Sequence, residues 1–480
     1  MLYRQKFDTF IRTFGSIGYI VNKANFTDQV FDFSGAVFLN AMSREPQSLE
    51  TITKKINKNF IDIAYDDLLP DVADLLKQLE EDGFIVSGKT LADIEMKDKR
   101  FSYSCLEPNK FRYYSPVKKR TDEISQVFLE DFFLENPYLS SFQIELTSRC
   151  NEHCVHCYIP HENRMTDIEP DFFYSILGQC HEIKTMILTL SGGEPMMHPN
   201  FCDFLRRARD YDFSINVLSN LTLLNEEIVA EMRANRLSVQ VSLYSMNPNV
   251  HDSITKVPGS WKKTYRSILC LIDNDIPLQI SCPVMKQNKD SFTDVILHAE
   301  QLKVRATTDF IMMARYDKTT DNLDNRLNIN ETEEVISGIL INDHFYQEEM
   351  EKAEIAIEFE DSEKAVCGVG ISSLCMNAQG DVFPCAGWQS YVCGNLKDMS
   401  LQEIWENSPK VKYLRSLRKK DFPECLQCPD KAFCAMCMVR NANEDPNGDF
   451  LKINEHFCKV AALNRKIVMD WKEKAGAAVP

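Results

Sequence analysis

The sequence predicts an α/β protein in three parts, and three observations predict it. From Phe142 onward, short apolar runs alternate with helical patterns, which marks repeated βα units and a parallel sheet. Before residue 90 the chain reads as a hairpin, three helices and a closing strand, a winged-helix outline. Beyond residue 366 the cysteines crowd together, nine of the seventeen lying from Cys367 to Cys458.

Composition bounds the rest. A chain of 480 residues with 44% hydrophobic content can bury two or three cores. The formal net charge is -17, with 71 acidic against 54 basic residues, which disfavours a nucleic-acid groove as the main function. The N-terminus lacks a basic segment followed by an apolar core, and no apolar run approaches the ~18 residues of a membrane span. A soluble cytoplasmic protein is expected, and there closely spaced cysteines point to metal rather than disulfides.

Residues 1–90 form the first expected domain. Phe10–Phe14 and Ile17–Val21 flank Gly15-Ser16, a hairpin turn. Asp32 or Ser34 opens a short helix through Ala36 to Leu39. Ser48 opens a second through Ile52 and Ile56. Leu68, Leu69, Val72, Leu75, Leu76 and Leu79 mark a third, which stops at Glu81-Asp82-Gly83 before the strand Phe84-Ile85-Val86. The helices are too acidic for a convincing phosphate-facing surface. Residues 91–135 read as a linker, with Lys118-Lys119-Arg120 as solvated surface and Val127–Leu134 packing on the next domain.

The second domain spans 136–330. Candidate strands are 142–146, 185–190, 214–218, 237–243, 278–284 and 307–313, and parallel strands present ligands at their carboxyl ends. Just past the first strand comes Cys150-Asn151-Glu152-His153-Cys154-Val155-His156-Cys157. Three cysteines spaced C-x3-C-x2-C on such a loop can converge on one iron–sulfur cluster, which selects soft thiolates. Three ligands leave one iron of a cube open to a small molecule. A zinc knuckle or scattered core cysteines are the plainer alternatives.

The segment Glu145 to Tyr158, E-L-T-S-R-C-N-E-H-C-V-H-C-Y, resembles the cluster-binding loop of radical S-adenosylmethionine (SAM) enzymes. The resemblance implies an open, partial (β/α)6 barrel and a [4Fe–4S] cluster on Cys150, Cys154 and Cys157. It also implies SAM on the open iron, cleaved by electron transfer to a 5'-deoxyadenosyl radical. Ser191-Gly192-Gly193-Glu194-Pro195 follows the second strand, where paired glycines allow close backbone approach and Glu194 supplies an acceptor for an amine. It looks like the family's GGE(P) motif, so Gly192, Gly193, Glu194 and Pro195 are expected to contact SAM. Ser219, Asn220 and Ser242 end later strands and are expected ribose contacts, although each could simply cap a helix. His251 to Ser260 resembles a segment of peptide-modifying members and could order the loop above the cofactor.

Between 331 and 365, bridging helices are expected at Glu331–Gly338 and His344–Ile357, the second with an acidic face at Glu348, Glu349, Glu351 and Glu354. The remainder, 366–480, resembles a SPASM domain, the extension that carries auxiliary [4Fe–4S] clusters. Carried over, Cys367, Cys375, Cys385 and Cys437 would hold one cluster, and Cys425, Cys428, Cys434 and Cys458 the other. Cys434-x2-Cys437 is one residue shorter than the family's spacing, and Cys393 could replace Cys375. Zinc on Cys425–Cys437 stays open. Cys105, Cys180, Cys202, Cys270 and Cys282 lack partners at metal spacing and read as buried thiols.

The N-terminal domain resembles the PqqD-like element that holds leader peptides in enzymes modifying ribosomally made peptides. The whole therefore reads as a peptide maturase with SAM and three [4Fe–4S] clusters. Its partners would be a precursor peptide with its leader on the N-terminal domain and an electron donor such as flavodoxin or ferredoxin, with no nucleic acid and no membrane. The expected product is an oxidative crosslink, first a Cys sulfur-to-carbon thioether as in sactipeptide and ranthipeptide maturases, with carbon–carbon or ether crosslinks next. Formylglycine formation, as in anaerobic sulfatase maturation, and a non-catalytic peptide-binding iron–sulfur protein are the other readings.

Overall fold

The computed structural model describes residues 1–24, 27–105, 125–162, 164–352, 362–434 and 436–477. Lys118-Lys119-Arg120, Glu354 and the end of the second bridging helix lie outside these residues.

The N-terminal unit opens with β1 (Leu2–Gln5), β2 (Thr9–Phe14), β3 (Ile17–Asn22) and β4 (Thr27–Phe31). Gly15, at φ 57°, turns the β2–β3 hairpin. Asp32 caps the helix Phe33–Asn40 by accepting from the Gly35 amide, and Ser48 caps Leu49–Asn57 by accepting from Thr51. The helix Tyr65–Glu81 buries Leu68, Val72, Leu76 and Leu79, and leads through Gly83 into the last strand. With β5 (Gln47–Ser48) and β6 (Ile85–Gly88), two three-stranded sheets form, in the orders β5-β1-β6 and β2-β3-β4. The short β1 and β4 were not expected, because β1 gains its strand character only from distant partners, Leu2 facing both Ser48 and Gly88. Thr90 and Asp93 form a capping box for the helix Leu91–Lys97, and Arg4 pairs with Asp98 at 2.7 Å, so the unit continues to Asp98.

The barrel strands are β7 (Ser141–Thr147), β8 (Ile187–Gly192), β9 (Ser214–Ser219), β10 (Ser238–Ser242), β11 (Leu278–Pro283) and β12 (Arg305–Asp309). They pair in parallel and in sequence order as an open sheet. The sixth strand stops short of the expected Met313, because the Asp309 carboxylate accepts from the Ile311 amide at 2.7 Å and turns the chain. On its other side β7 pairs with β13 (Ser373–Met376), followed by β14 (Asp381–Phe383) and β15 (Gly394–Asn395). The cysteine-rich region is thus an extension of the barrel sheet.

Alternation divides that sheet into two faces. Phe142, Ile144, Leu188, Leu190, Val217, Val241 and Ile280 are buried in the main core. Residues between them face the concave side and are partly exposed. The N-terminal unit docks across the amino ends of the strands. Arg12 Nε donates to the Thr185 carbonyl at 3.1 Å, Arg44 meets Asp212 at 2.6 Å, and Arg236 meets Asp8 at 3.1 Å while lying 4.2 Å over the Phe7 ring.

Beyond the barrel, the helix Ile329–Asn342 starts two residues before the expected Glu331, because Asn328 caps it in a box with Glu331. It packs against the closing helix Glu455–Ala477. No helix among the described residues is long and apolar enough to cross a membrane.

Candidate active site

The three cysteines leave β7 on a loop whose main chain is tied to its neighbours. The Gly193 amide donates to Thr147 O at 2.9 Å, and the Glu194 amide to Arg149 O at 2.8 Å. From the other side, His153 N donates to Thr255 O and Val155 N to Ile254 O, both at 3.0 Å. Arg149 fixes the base of the loop with a fork onto Asp167, at 2.8 and 2.6 Å.

The paired glycines follow from these contacts. A Cβ on Gly192, at φ 137°, would lie 2.2 Å from Thr147 O, and one on Gly193 would lie 2.3 Å from Arg149 O. Only glycines let the end of β8 lie on the cysteine loop. Pro195 opens the short turn Pro195–Met197 that holds Glu194 in place. The Glu194 carboxyl is fully buried, accepting from Ser219 Oγ at 2.8 Å, from Asn220 N at 2.8 Å and from Met196 N at 3.1 Å. Burial pushes it up to about 7, so a bound ammonium group would draw it to the carboxylate.

Ser219 and Asn220 thus meet at Glu194, and Asn220 Nδ2 also donates to Asn151 Oδ1 of the cysteine loop at 2.9 Å. Ser242 ends β10 in register with Ser281 of β11. Asp252 accepts from Gly259 N, Ser260 Oγ and Trp261 N, ordering the segment that props the loop.

Two of the three sulfurs lie in largely desolvated surroundings. Burial, then the Glu194 charge, pushes Cys150 up to about 12; burial and Glu152 raise Cys154 well above its usual range. Such sulfurs become thiolates when a cationic centre compensates them. Arg164 Nη2 donates to Cys157 Sγ at 3.3 Å, and the Tyr244 hydroxyl to Cys154 Sγ at 3.8 Å. Among the described residues no three His, Cys, Asp or Glu side chains are gathered tightly enough to share one ion. Three cysteine sulfurs are the soft donors that an iron–sulfur cube takes, so the donor set fits such a cluster.

In the C-terminal region, Cys367, Cys385 and Cys437 lie within one another's electrostatic reach, with Cys375 beside Cys385. Cys425, Cys428, Cys434 and Cys458 form a second group. Cys393 is elsewhere, in the main core, with its thiol on the Tyr391 carbonyl. Cys180 and Cys282 are buried, and Cys202 and Cys270 are half-buried; the side chain of Cys105 lies outside the described residues.

Residues 144–299 match the Radical SAM superfamily, and residues 367–429 match the SPASM iron–sulfur cluster-binding domain. The chain carries a radical SAM domain followed by a SPASM domain. These imply SAM and [4Fe–4S] clusters, and SAM cleavage is the family's general mechanism. An AdoMet-dependent heme synthase of Methanosarcina barkeri is 28% identical over 340 residues, 65% of this chain and 94% of that protein. The antilisterial bacteriocin subtilosin biosynthesis protein AlbA of Bacillus subtilis is 26% identical over 63% of this chain and 67% of its own length. The fold matches Streptococcus suis SuiB, solved bound to precursor peptide SuiA, with a TM-score of 0.61 at 14% identity, covering 95% of this chain and all 100% of that one.

Glu145 of the radical SAM domain was assigned no role from sequence. It is 5% exposed and accepts from Gln389 Nε2 of the SPASM domain at 2.7 Å, with Tyr158 and Arg164 as electrostatic neighbours. Burial pushes it up to about 8. The available signal was alternation, since Gln143 and Glu145 interrupt Phe142, Ile144 and Leu146 as inward polar positions.

Proposed function

We propose that this radical SAM protein is a peptide maturase that forms an intramolecular Cys sulfur-to-carbon thioether in a ribosomally made precursor. The observation that carries the reading is the N-terminal unit docked at the amino ends of the barrel strands, at the opposite end from the cysteine loop. A leader held there would feed its core toward the site. The similarity to the subtilosin biosynthesis protein supports a peptide substrate, and the heme synthase match leaves about a third of this chain unaccounted for.

Bound SAM supplies the radical that removes one hydrogen atom from substrate carbon. The chain's own residues do the rest. Cys150, Cys154 and Cys157 would hold the SAM cluster; Gly192, Gly193, Glu194 and Pro195 would receive the methionyl part of SAM; Ser219, Asn220 and Ser242 would meet the ribose. The eight cysteines of the two C-terminal groups would hold auxiliary clusters that take the second electron, with flavodoxin or ferredoxin as the outside donor. Glu145, whose burial raises its affinity for a proton, would take the thiol proton.

The test is the accurate mass of a candidate precursor, from the small reading frame beside this gene, after anaerobic incubation with SAM and a reductant. Loss of two hydrogens with one cysteine no longer alkylatable establishes the thioether. The same loss with every cysteine alkylatable selects a carbon–carbon or ether crosslink. Conversion of Cys or Ser to an aldehyde selects formylglycine chemistry. No reductant-dependent 5'-deoxyadenosine at all would reject the catalytic assignment.

A further inference from the structure

The concave face of the sheet is polar where a closed barrel would be packed. At one level across β7, β8 and β9 the inward residues are Gln143, Thr189 and Asn216, in direct register. Ser238 of β10 stands opposite Asn216, and the next inward level holds Leu218 of β9, Gln240 of β10 and Gln279 of β11 in register. In closed (β/α)8 barrels this space is filled by branched apolar side chains. Here Leu218 is the apolar exception among polar side chains, and all of them are partly exposed.

The carboxamides brace one another through one end only. Gln279 Nε2 donates to Gln240 Oε1 at 2.6 Å, Gln143 Nε2 donates to Ser191 Oγ at 2.8 Å, and the Ser238 hydroxyl donates to Asn216 Oδ1. Among the described residues, Gln143 Oε1, Asn216 Nδ2, Gln240 Nε2 and Gln279 Oε1 make no side-chain hydrogen bond. They line a cavity of about 570 Å³ whose lower wall includes Asp8, Phe10, Lys23 and Ala24 of the N-terminal unit. At its lower end Asp8 and Arg236 engage each other at 3.1 Å. Gln143 lies two residues before Glu145 on the same face of β7, so the cavity runs from the N-terminal unit to one inward position short of Glu145.

We propose that this cavity binds an extended backbone stretch of the precursor peptide, the carboxamides pairing with its N–H and C=O groups. The inference rests on the peptide-substrate reading above. A peptide backbone repeats one donor and one acceptor per residue, and a carboxamide offers both without charge. Recognition of this kind ignores the side chains of the segment, which suits a stretch that spans from leader to modified core. The volume falls in the range of small ligand sites, enough for a few residues.

Fluorescence anisotropy of the fluorescein-labelled precursor from the adjacent reading frame, titrated with the holoenzyme, tests this. Thr189→Trp fills the cavity and should raise Kd at least tenfold. Gln279→Leu removes one polar end and breaks the Gln240 pair, and should raise Kd at least threefold. Iron content and melting temperature report whether each variant folds, and if Thr189→Trp does not, Gln279→Leu decides alone. Wild-type affinity in the folded variants overturns the cavity assignment while leaving the crosslinking reading intact. A wild-type enzyme that makes 5'-deoxyadenosine but neither binds nor modifies the peptide overturns both.

Discussion

Cys150, Cys154 and Cys157 sit on a loop fastened by main-chain hydrogen bonds to β8 and to the segment after β10, through Gly193, Glu194, His153 and Val155. The cysteines between 367 and 458 are gathered differently. Cys375 alone lies within a strand, and the main-chain ties around Cys425–Cys437 are short-range turns such as Cys428 N to Cys425 O at 3.1 Å and Cys434 N to Lys431 O at 3.2 Å. Side chains of the closing helix, Asn464 onto Phe433 O and Arg465 onto Asp430, are the long-range ties. The first site is shaped by the fold before any metal arrives. The second has its turns joined to the closing helix by side chains, so metals bound there would add the main ties and couple binding to folding.

The largest expected effect breaks the first half of that contrast. Gly193→Ala would set a methyl group 2.3 Å from Arg149 O, against backbone that cannot swing away. It should cost about 3 kcal/mol in urea unfolding and abolish measurable SAM binding by equilibrium dialysis. Gly178→Ala is the control, because its Cβ would meet only the Tyr211 hydroxyl at 3.8 Å and it sits within the helix Pro170–Glu182. That change should stabilise by about 0.5–1 kcal/mol. Equal losses in both variants would mean that the loop is no more tightly built than an ordinary helix surface.

A medium effect tests the second half. Anaerobic chelation of iron should leave amide exchange at residues 144–158 within a few-fold of its starting rate, while residues 423–437 lose at least tenfold protection. Equal loss in both segments would show that the SAM loop also depends on its cluster for shape.

The same contrast explains what could be read from the sequence. The candidate SAM site was legible because spacing, glycine pair and strand ends are local, and each strand end faces the next in chain order. The six barrel strands were found within a few residues for the same reason. Which sulfurs meet in the C-terminal region depends on β13 returning to β7, with Cys375 opposite Gln143, and no local pattern encodes that pairing. Short elements were missed where a distant partner makes them, as in β1, or where a single cap does, as at Thr90 and Asn328. Glu145 escaped notice because its burial is supplied by Gln389 from far along the chain.

The smallest expected effect concerns that residue, which joins the two regions. Burial pushes it up to about 8, above the 4.5 of an ordinary glutamate, so the folded state holds the proton more tightly than the unfolded one. The contribution to stability is fully present below pH 4.5 and is lost as pH rises through 8. Glu145→Gln keeps the acceptor for Gln389 and removes the ionisation. The variant should match wild type near pH 4.5 and exceed it by about 1–3 kcal/mol at pH 9, read from urea midpoints of the holoenzymes. If the two curves stay parallel from pH 5 to pH 9, the carboxyl is already ionised in the fold. Its governing neighbour would then be Arg164 rather than the apolar wall, and its proton affinity would be that of an ordinary carboxylate, too weak to draw a thiol proton. The residue would then serve to hold the SPASM domain in place through Gln389.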